Sequence, residues 1–294
     1  TAGATCARLE RFDDAIQWLE KVLHINASIE PAWAMLVDAH ASNDDHDAAE
    51  TSFYMAQDAL ADPSANVLVA MSGSLLTRNL PERAIWCAQE AIKIDPDVHG
   101  GRLRLAGGLV ATGQSQRASQ ILLQELREDP GNVQALLLHA DVLAYTGRAN
   151  EALIKLHRVL ELEPANVDAH DRAGKYAMDE QRWEEAFIAW GLVRRLQPNH
   201  STACLHLAQT LLAMQRPSAA RPLLQEHIDR MDDETSNEEK LHVAELLLGA
   251  GEPTVAVSLL ETLRTNLDDS DPMKLTLLRI LAVTLFASEK IDDG

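Results

Sequence analysis

Two consecutive segments of this chain carry the same pattern. Residues 132–164 read NVQALLLHADVLAYTGRANEALIKLHRVLELEP, and residues 166–198 read NVDAHDRAGKYAMDEQRWEEAFIAWGLVRRLQP. Asn132 and Asn166, Val133 and Val167, Ala135 and Ala169, Ala152 and Ala186, and Pro164 and Pro198 coincide at an offset of 34 residues. Repetition at that period means one supersecondary unit stacked on copies of itself, because no single copy can bury its apolar face alone.

The register extends in both directions. One column holds only alanine: Ala15, Ala49, Ala84, Ala118, Ala152, Ala186, Ala220 and Ala256. Twelve residues earlier stands a column of small residues, Gly3, Ser72, Ala106, Ala140, Gly174, Ala208 and Ala244, broken only by Val37. Helices approach closely only where side chains are small, so these columns mark helix crossings. Four residues after the alanines, one turn along the same face, lies a bulky column that includes Leu19, Phe53, Leu122, Leu156, Trp190 and Leu260. Pro96, Pro130, Pro164 and Pro198 close four repeats in phase, as residues that cannot continue a helix. Gly113 and Gly147 fall midway, where a turn needs a left-handed backbone.

These columns, with Trp33 as an aromatic early in a first helix, resemble the tetratricopeptide repeat (TPR) family in its bacterial multi-repeat form. The resemblance implies an all-α fold, an α–α superhelix or solenoid of stacked antiparallel helix pairs with a 34-residue repeat. One solenoid is expected over residues 1–294. It comprises a partial repeat over 1–29, seven full repeats over about 30–271, and a partial repeat over 272–294. First helices are expected to start near Glu30, Ala65, His99, Val133, Val167, Ser201 and Asn237, with a last one from about Pro272 to Ser288. Residues 231–240 form a longer acidic junction, a solvated loop or a hinge between subarrays. Both ends fall inside repeats and lack a polar capping helix, so a fragment of a longer array or of a multidomain protein is expected.

Composition narrows the function classes. The net charge of −19 argues against nucleic-acid binding and against an anionic membrane surface, both of which recruit Lys and Arg. Cys6, Cys87 and Cys204 are too few and scattered for a disulfide framework. No apolar run approaches the ~20 residues of a membrane span, so a soluble chain is expected, cytoplasmic in preference to periplasmic.

Motifs for chemistry do not assemble. GLVATGQS at 108–115 has the glycine spacing of a phosphate loop, but Gln114 stands where the lysine must be. NDDHD at 43–47 could suggest a metal, but adjacent side chains diverge, and aspartates there cap the next helix. No zinc-protease, paired-cysteine or nucleophile-elbow pattern occurs. No enzyme activity, catalytic residue, cofactor or metal is expected.

A partner surface is the remaining prospect. The resemblance implies that first helices line a concave groove. Helical periodicity selects two columns for it. One contains Leu103, Leu137 and Leu205, together with Asp171. The next contains Arg104, Leu138, Arg172, His206 and His242, with Lys175 and Tyr145 nearby along their helices. The expected groove is apolar with a thin basic line, suited to a peptide or protein segment anchored by side chains. Alternatively, the apolar members pack on the neighbouring repeat and the basic ones pair with Asp141, Asp168 or Asp171. The lysine–asparagine clamp for chaperone C-termini is not matched. The asparagine ladder of O-linked N-acetylglucosamine transferases is not matched either. A protein-binding scaffold is the leading expectation. A regulatory or substrate-presenting arm of a larger enzyme or polysaccharide-export protein, and a scaffold that self-associates through uncapped terminal repeats, remain open.

Overall fold

The computed structural model describes residues 11–232, 235–266 and 273–292. The expected helix remnant Thr1–Ala7 with Gly3 and Cys6, residues Asp233 and Glu234 of the acidic junction, Pro272 and the last two residues lie outside the described residues. Among those described, every regular element is an α-helix. The order is α1 (Phe12–Ile25), α2 (Glu30–Ser42), α3 (His46–Ala59), α4 (Ala65–Thr77), α5 (Pro81–Ile94), α6 (Gly101–Ala111), α7 (Ser115–Glu128) and α8 (Val133–Tyr145). It continues with α9 (Ala149–Leu162), α10 (Val167–Asp179), α11 (Trp183–Leu196), α12 (Ala203–Ala213), α13 (Pro217–Ile228), α14 (Asn237–Gly249), α15 (Pro253–Asn266) and α16 (Met273–Asp292). The chain divides into two compact units, Thr1–Lys155 and Leu156–Gly294.

Within each unit the helices form antiparallel pairs stacked on one another. In the first unit α2 packs on α3, α4 on α5 and α6 on α7, while successive first helices α2, α4, α6 and α8 contact in turn. In the second, α10 pairs with α11, α12 with α13 and α14 with α15, and α14 also meets α12 and α16. All eight members of the alanine column are 0% exposed. The small and bulky columns are buried as well throughout the described residues. Columns read as helix crossings are thus the core.

Helix boundaries follow local chemistry. Each in-phase proline stands two residues beyond a helix end: Ile94, Glu128, Leu162 and Leu196. Ser64, Asn132, Asn166 and Ser236 occupy one column, and each side chain accepts an amide hydrogen bond three residues on. The helix starts directly after each of these caps. The same column holds Ile29, Val98 and His200 in the other three repeats. After Ile29 the helix starts at Glu30 with Pro31 in its first turn, whereas after Val98 and His200 the helices start two residues later than expected, at Gly101 and Ala203. Asp45 caps α3 through Ala48 N at 3.0 Å, the role expected for the NDDHD aspartates. The 108–115 run spans the end of α6, a turn and the start of α7, a context unlike the strand–loop–helix of a phosphate loop.

The turn inside each repeat is a Schellman-type closure. The amide of Asp45, Leu80, Gln114, Arg148, Arg182, Arg216 or Glu252 bonds the carbonyl five residues earlier. That geometry demands a left-handed residue just before, and all seven positions have positive φ. Gly113, Gly147 and Gly251 suit it, and Asp44 and Asn79 tolerate it, but Gln181 and Gln215 adopt it too. The last helix, α16, runs to Asp292, past the turn expected after Ser288. No Gly, Asn or Asp stands at the corresponding turn position to release it.

Candidate functional site

In the first unit, the exposed side of the first helices is a shallow trough built on glycines. Asp38, Gly73, Gly107 and Asp141 occupy one column on α2, α4, α6 and α8. Its two central positions carry no side chain: Gly107 is half-buried, and Gly73 is buried. Arg104 of α6 fills part of this space: a Cβ on Gly73 would lie 2.9 Å from its Cζ, so the guanidinium rests on the α4 backbone. Its charge reaches Asp38 on α2. Burial raises the Asp38 carboxyl above its usual range, and Arg104 opposes that shift.

The same first helices, α6 and α8, carry apolar side chains. Leu103 and Leu138 are half-buried against the unit's core, and Leu137 beside them is half-buried too. Tyr145, at the end of α8, is 80% exposed. An exposed tyrosine of this kind offers a large rigid contact surface with little conformational entropy to lose on binding. Five residues selected from the sequence, Leu103, Arg104, Leu137, Leu138 and Tyr145, therefore belong to one unit and to the same run of first helices.

In the second unit, the corresponding residues are largely engaged with one another. Leu205 is 6% exposed and packs in the core with Leu241 alongside, as the packing alternative anticipates. Lys175 pairs with Asp171 at 2.7 Å, and His200 Nε2 lies 3.7 Å from the same carboxylate. Arg172 donates to the Asp168 carbonyl at 3.2 Å. His242 stands 3.9 Å from Glu245.

His206 differs most from the expected basic line. Its ring stacks on buried Trp190 with centroids 4.3 Å apart and an interplanar angle of 25°. Burial, with the nearby Lys175 charge, pushes its pKa down to about 4. The imidazole is neutral at neutral pH and adds no positive charge. Trp190 fits because the small column is glycine here: a Cβ on Gly174 would meet its Nε1 at 2.6 Å. The indole N–H donates to Met178 Sδ at 3.2 Å. The pairing of Gly174 with Trp190 is visible in the sequence as a missing side chain opposite an oversized one. The stack with His206 is not, since it joins α11 to α12.

No group of three or more potential metal-binding His, Cys, Asp or Glu side chains occurs among the described residues. No described helix is long and apolar enough to cross a membrane. Cys87 and Cys204 are buried free thiols, and burial raises the Cys87 thiol to about 11, which leaves it unreactive.

No family model matches the chain, and no curated protein matches it. Solved structures share the fold at low identity. A chain of the APC/C hetero-tetramer Cut9–Hcn1 is similar with a TM-score of 0.68 and 14% identity, over 93% of this chain and 52% of that one. This chain thus spans about half of that relative. PilF of Pseudomonas aeruginosa is similar with a TM-score of 0.61 and 18% identity, over 73% of this chain and 96% of PilF. A tetratricopeptide repeat protein from Parabacteroides merdae has a TM-score of 0.59 and 13% identity, with 92% and 99% covered. At these identities the likeness establishes the fold, stacked helix pairs of the TPR type.

Proposed function

We propose that this chain is a non-enzymatic scaffold that holds a peptide or protein segment against the first-helix face of its first unit. The observation that carries this reading is Arg104 laid over Gly73, on a run of first helices that also carries the half-buried Leu103, Leu137 and Leu138. An exposed cation laid on backbone, with apolar side chains along the same run of helices, gives a ligand both an anchor and a charge register. The segment it suits carries one or two large apolar side chains with a carboxylate beside them. Cut9, a similar fold, occurs in a hetero-tetramer with Hcn1, and assembly with another protein is the kind of role envisaged here.

The test is selection from a random-peptide display library on the wild-type chain, with counter-selection on Leu137→Arg. The expected result is a recurrent apolar–acidic motif whose binding is abolished by Leu137→Arg while far-ultraviolet circular dichroism is unchanged. Recovered peptides that bind both proteins equally would remove the first-helix face from the proposal.

A further inference from the structure

The second unit has a different opening, on the side of its second helices. Between α11 and α13, above α12, lies a cleft of about 740 Å³. Phe187, Leu207, Leu211 and Leu223 line it with apolar surface. Arg194, Arg195 and Arg216 line it with charge, against the single carboxylate of Glu226. Glu226 is occupied: it pairs with Arg194 at 2.6 Å and with Arg230 at 2.6 Å. Arg195 and Arg216 are exposed and pair with no carboxylate among the described residues. In a chain of net charge −19, two unpaired guanidinium groups on one apolar cleft are a local inversion of charge.

One missing side chain opens the cleft. Five residues after the alanine column, the repeats carry Glu20, Tyr54, Gln89, Leu123, His157, Gly191, Gln225 and Glu261. Only Gly191 lacks a side chain, and a Cβ there would meet nothing within 4 Å. Facing it, Ala219 and Pro222 of α13 are also short. The first unit supplies an internal control. The cleft between α3 and α5 is lined by Tyr54, the counterpart of Gly191, and has a volume of about 270 Å³. The arginine on its wall, Arg83, is bound to Glu50 at 2.7 Å. The same register thus yields a filled, neutralised cleft in one unit and an open, cationic one in the other.

We propose that the cleft between α11 and α13 is a second docking site, for an acidic segment of a partner protein that carries a phenylalanine- or leucine-sized anchor. The anchor enters the space left by Gly191, against Phe187 and Leu207. Carboxylates on either side of it meet Arg195 and Arg216. The volume is that of a ligand-sized site, and an apolar floor with a few convergent charges is the composition of one.

The experiment measures fluorescence anisotropy of a labelled, end-blocked peptide, Glu-Asp-Phe-Glu-Asp-Leu, on the whole chain. Control peptides replace the acids with lysine, or Phe and Leu with serine. The expected result is saturable binding of the first peptide, at least about tenfold tighter than either control. The Arg195→Glu/Arg216→Glu double variant weakens it about tenfold or more, and so does Gly191→Gln, which installs the side chain found in two sister repeats. Gly191→Gln places a good helix former in open space, so its melting temperature holds or rises and its loss of binding is not unfolding. Leu137→Arg leaves this binding unchanged, which separates the site from the first-helix face. Absence of binding, equal binding of the lysine peptide, or indifference to both cleft variants would overturn the proposal. Self-association abolished by Gly191→Gln would overturn it too, by giving the cleft to a second copy of this chain.

Discussion

The two units are written in one repeat register but expose opposite sides. In the first, the first-helix face presents Arg104, whose guanidinium lies over the buried Gly73, and the exposed Tyr145. Its second-helix cleft is narrowed by Tyr54, and Arg78 and Arg83 are held by Glu50. In the second unit, first-helix residues are engaged: Lys175 pairs with Asp171 on the same helix, and His206 stacks on Trp190 of the second helix α11. There the second-helix side is open. The alanine column is buried throughout both units, so the difference comes from other columns: Gly73 and Tyr54 in the first unit, and Gly174 with Trp190 and Gly191 in the second. A repeat fold can therefore move its contact surface from one side to the other by exchanging glycine with a large side chain at single columns.

The largest expected effect tests whether the Trp190 stack is what keeps His206 on the second unit's first-helix face uncharged. Trp190→Ala removes a fully buried indole beside Gly174, and the cavity costs about 3–5 kcal/mol. Urea unfolding should show that loss, and proton NMR should show the His206 pKa rising from about 4 toward an ordinary imidazole value. A His206 titration unmoved by Trp190→Ala would break the comparison, because the stack would then not set the charge of that face.

The next effect compares one buried histidine in each unit. His139, 3% exposed and 2.9 Å from Ser119 Oγ, is pushed by burial to about 4, as His206 is. Both are neutral when folded, whereas the unfolded chain takes up a proton near pH 6.5. Their stabilising contribution is full above about pH 6.5 and is lost as pH falls toward 4, up to about 3 kcal/mol for each. Urea midpoints at pH 7 and pH 4.5 should differ less in His139→Asn and in His206→Gln than in the wild type. Equal acid sensitivity in all three proteins would assign the loss to carboxylates instead.

The smallest effect concerns the trough itself. Gly73→Ala places a methyl where the Arg104 guanidinium rests, and that flexible end can move. Stability should rise by less than about 1 kcal/mol from helix propensity. Because Arg104 no longer opposes burial as strongly, the Asp38 carboxyl should titrate higher. A marked loss of stability would mean that the Arg104 position is part of the packing and not a movable surface group.

Much of the fold was legible from residue columns. The alanine column is the buried axis of every pair, the prolines stand two residues past helix ends, and Gly113 and Gly147 take the left-handed turn. The late starts at Gly101 and Ala203 escaped: Val98 and His200 stand in the capping column without capping, but so does Ile29, after which the helix starts on schedule at Glu30. Gln181 and Gln215 carried no signal, because the turn is imposed there by the Schellman closure against residue preference. Of the candidate contacts, Leu103, Arg104, Leu137, Leu138 and Tyr145 share one face. Leu205 and His206 could not be told apart from them by periodicity: column position gives a direction, not the identity of the neighbour that covers it.

By itself the sequence determined the period, the helix pairs and the core of this protein. Those rest on local conformation and on burial of small residues at fixed spacing, and both are written along one chain segment. The tertiary structure alone decided which surfaces stay open. Openness depends on residues brought together from different helices, such as Gly73 with Arg104, Trp190 with His206, and Gly191 with Ala219 and Pro222. Each of these groups crosses from one helix to another, and no pattern along a single helix contains such a contact.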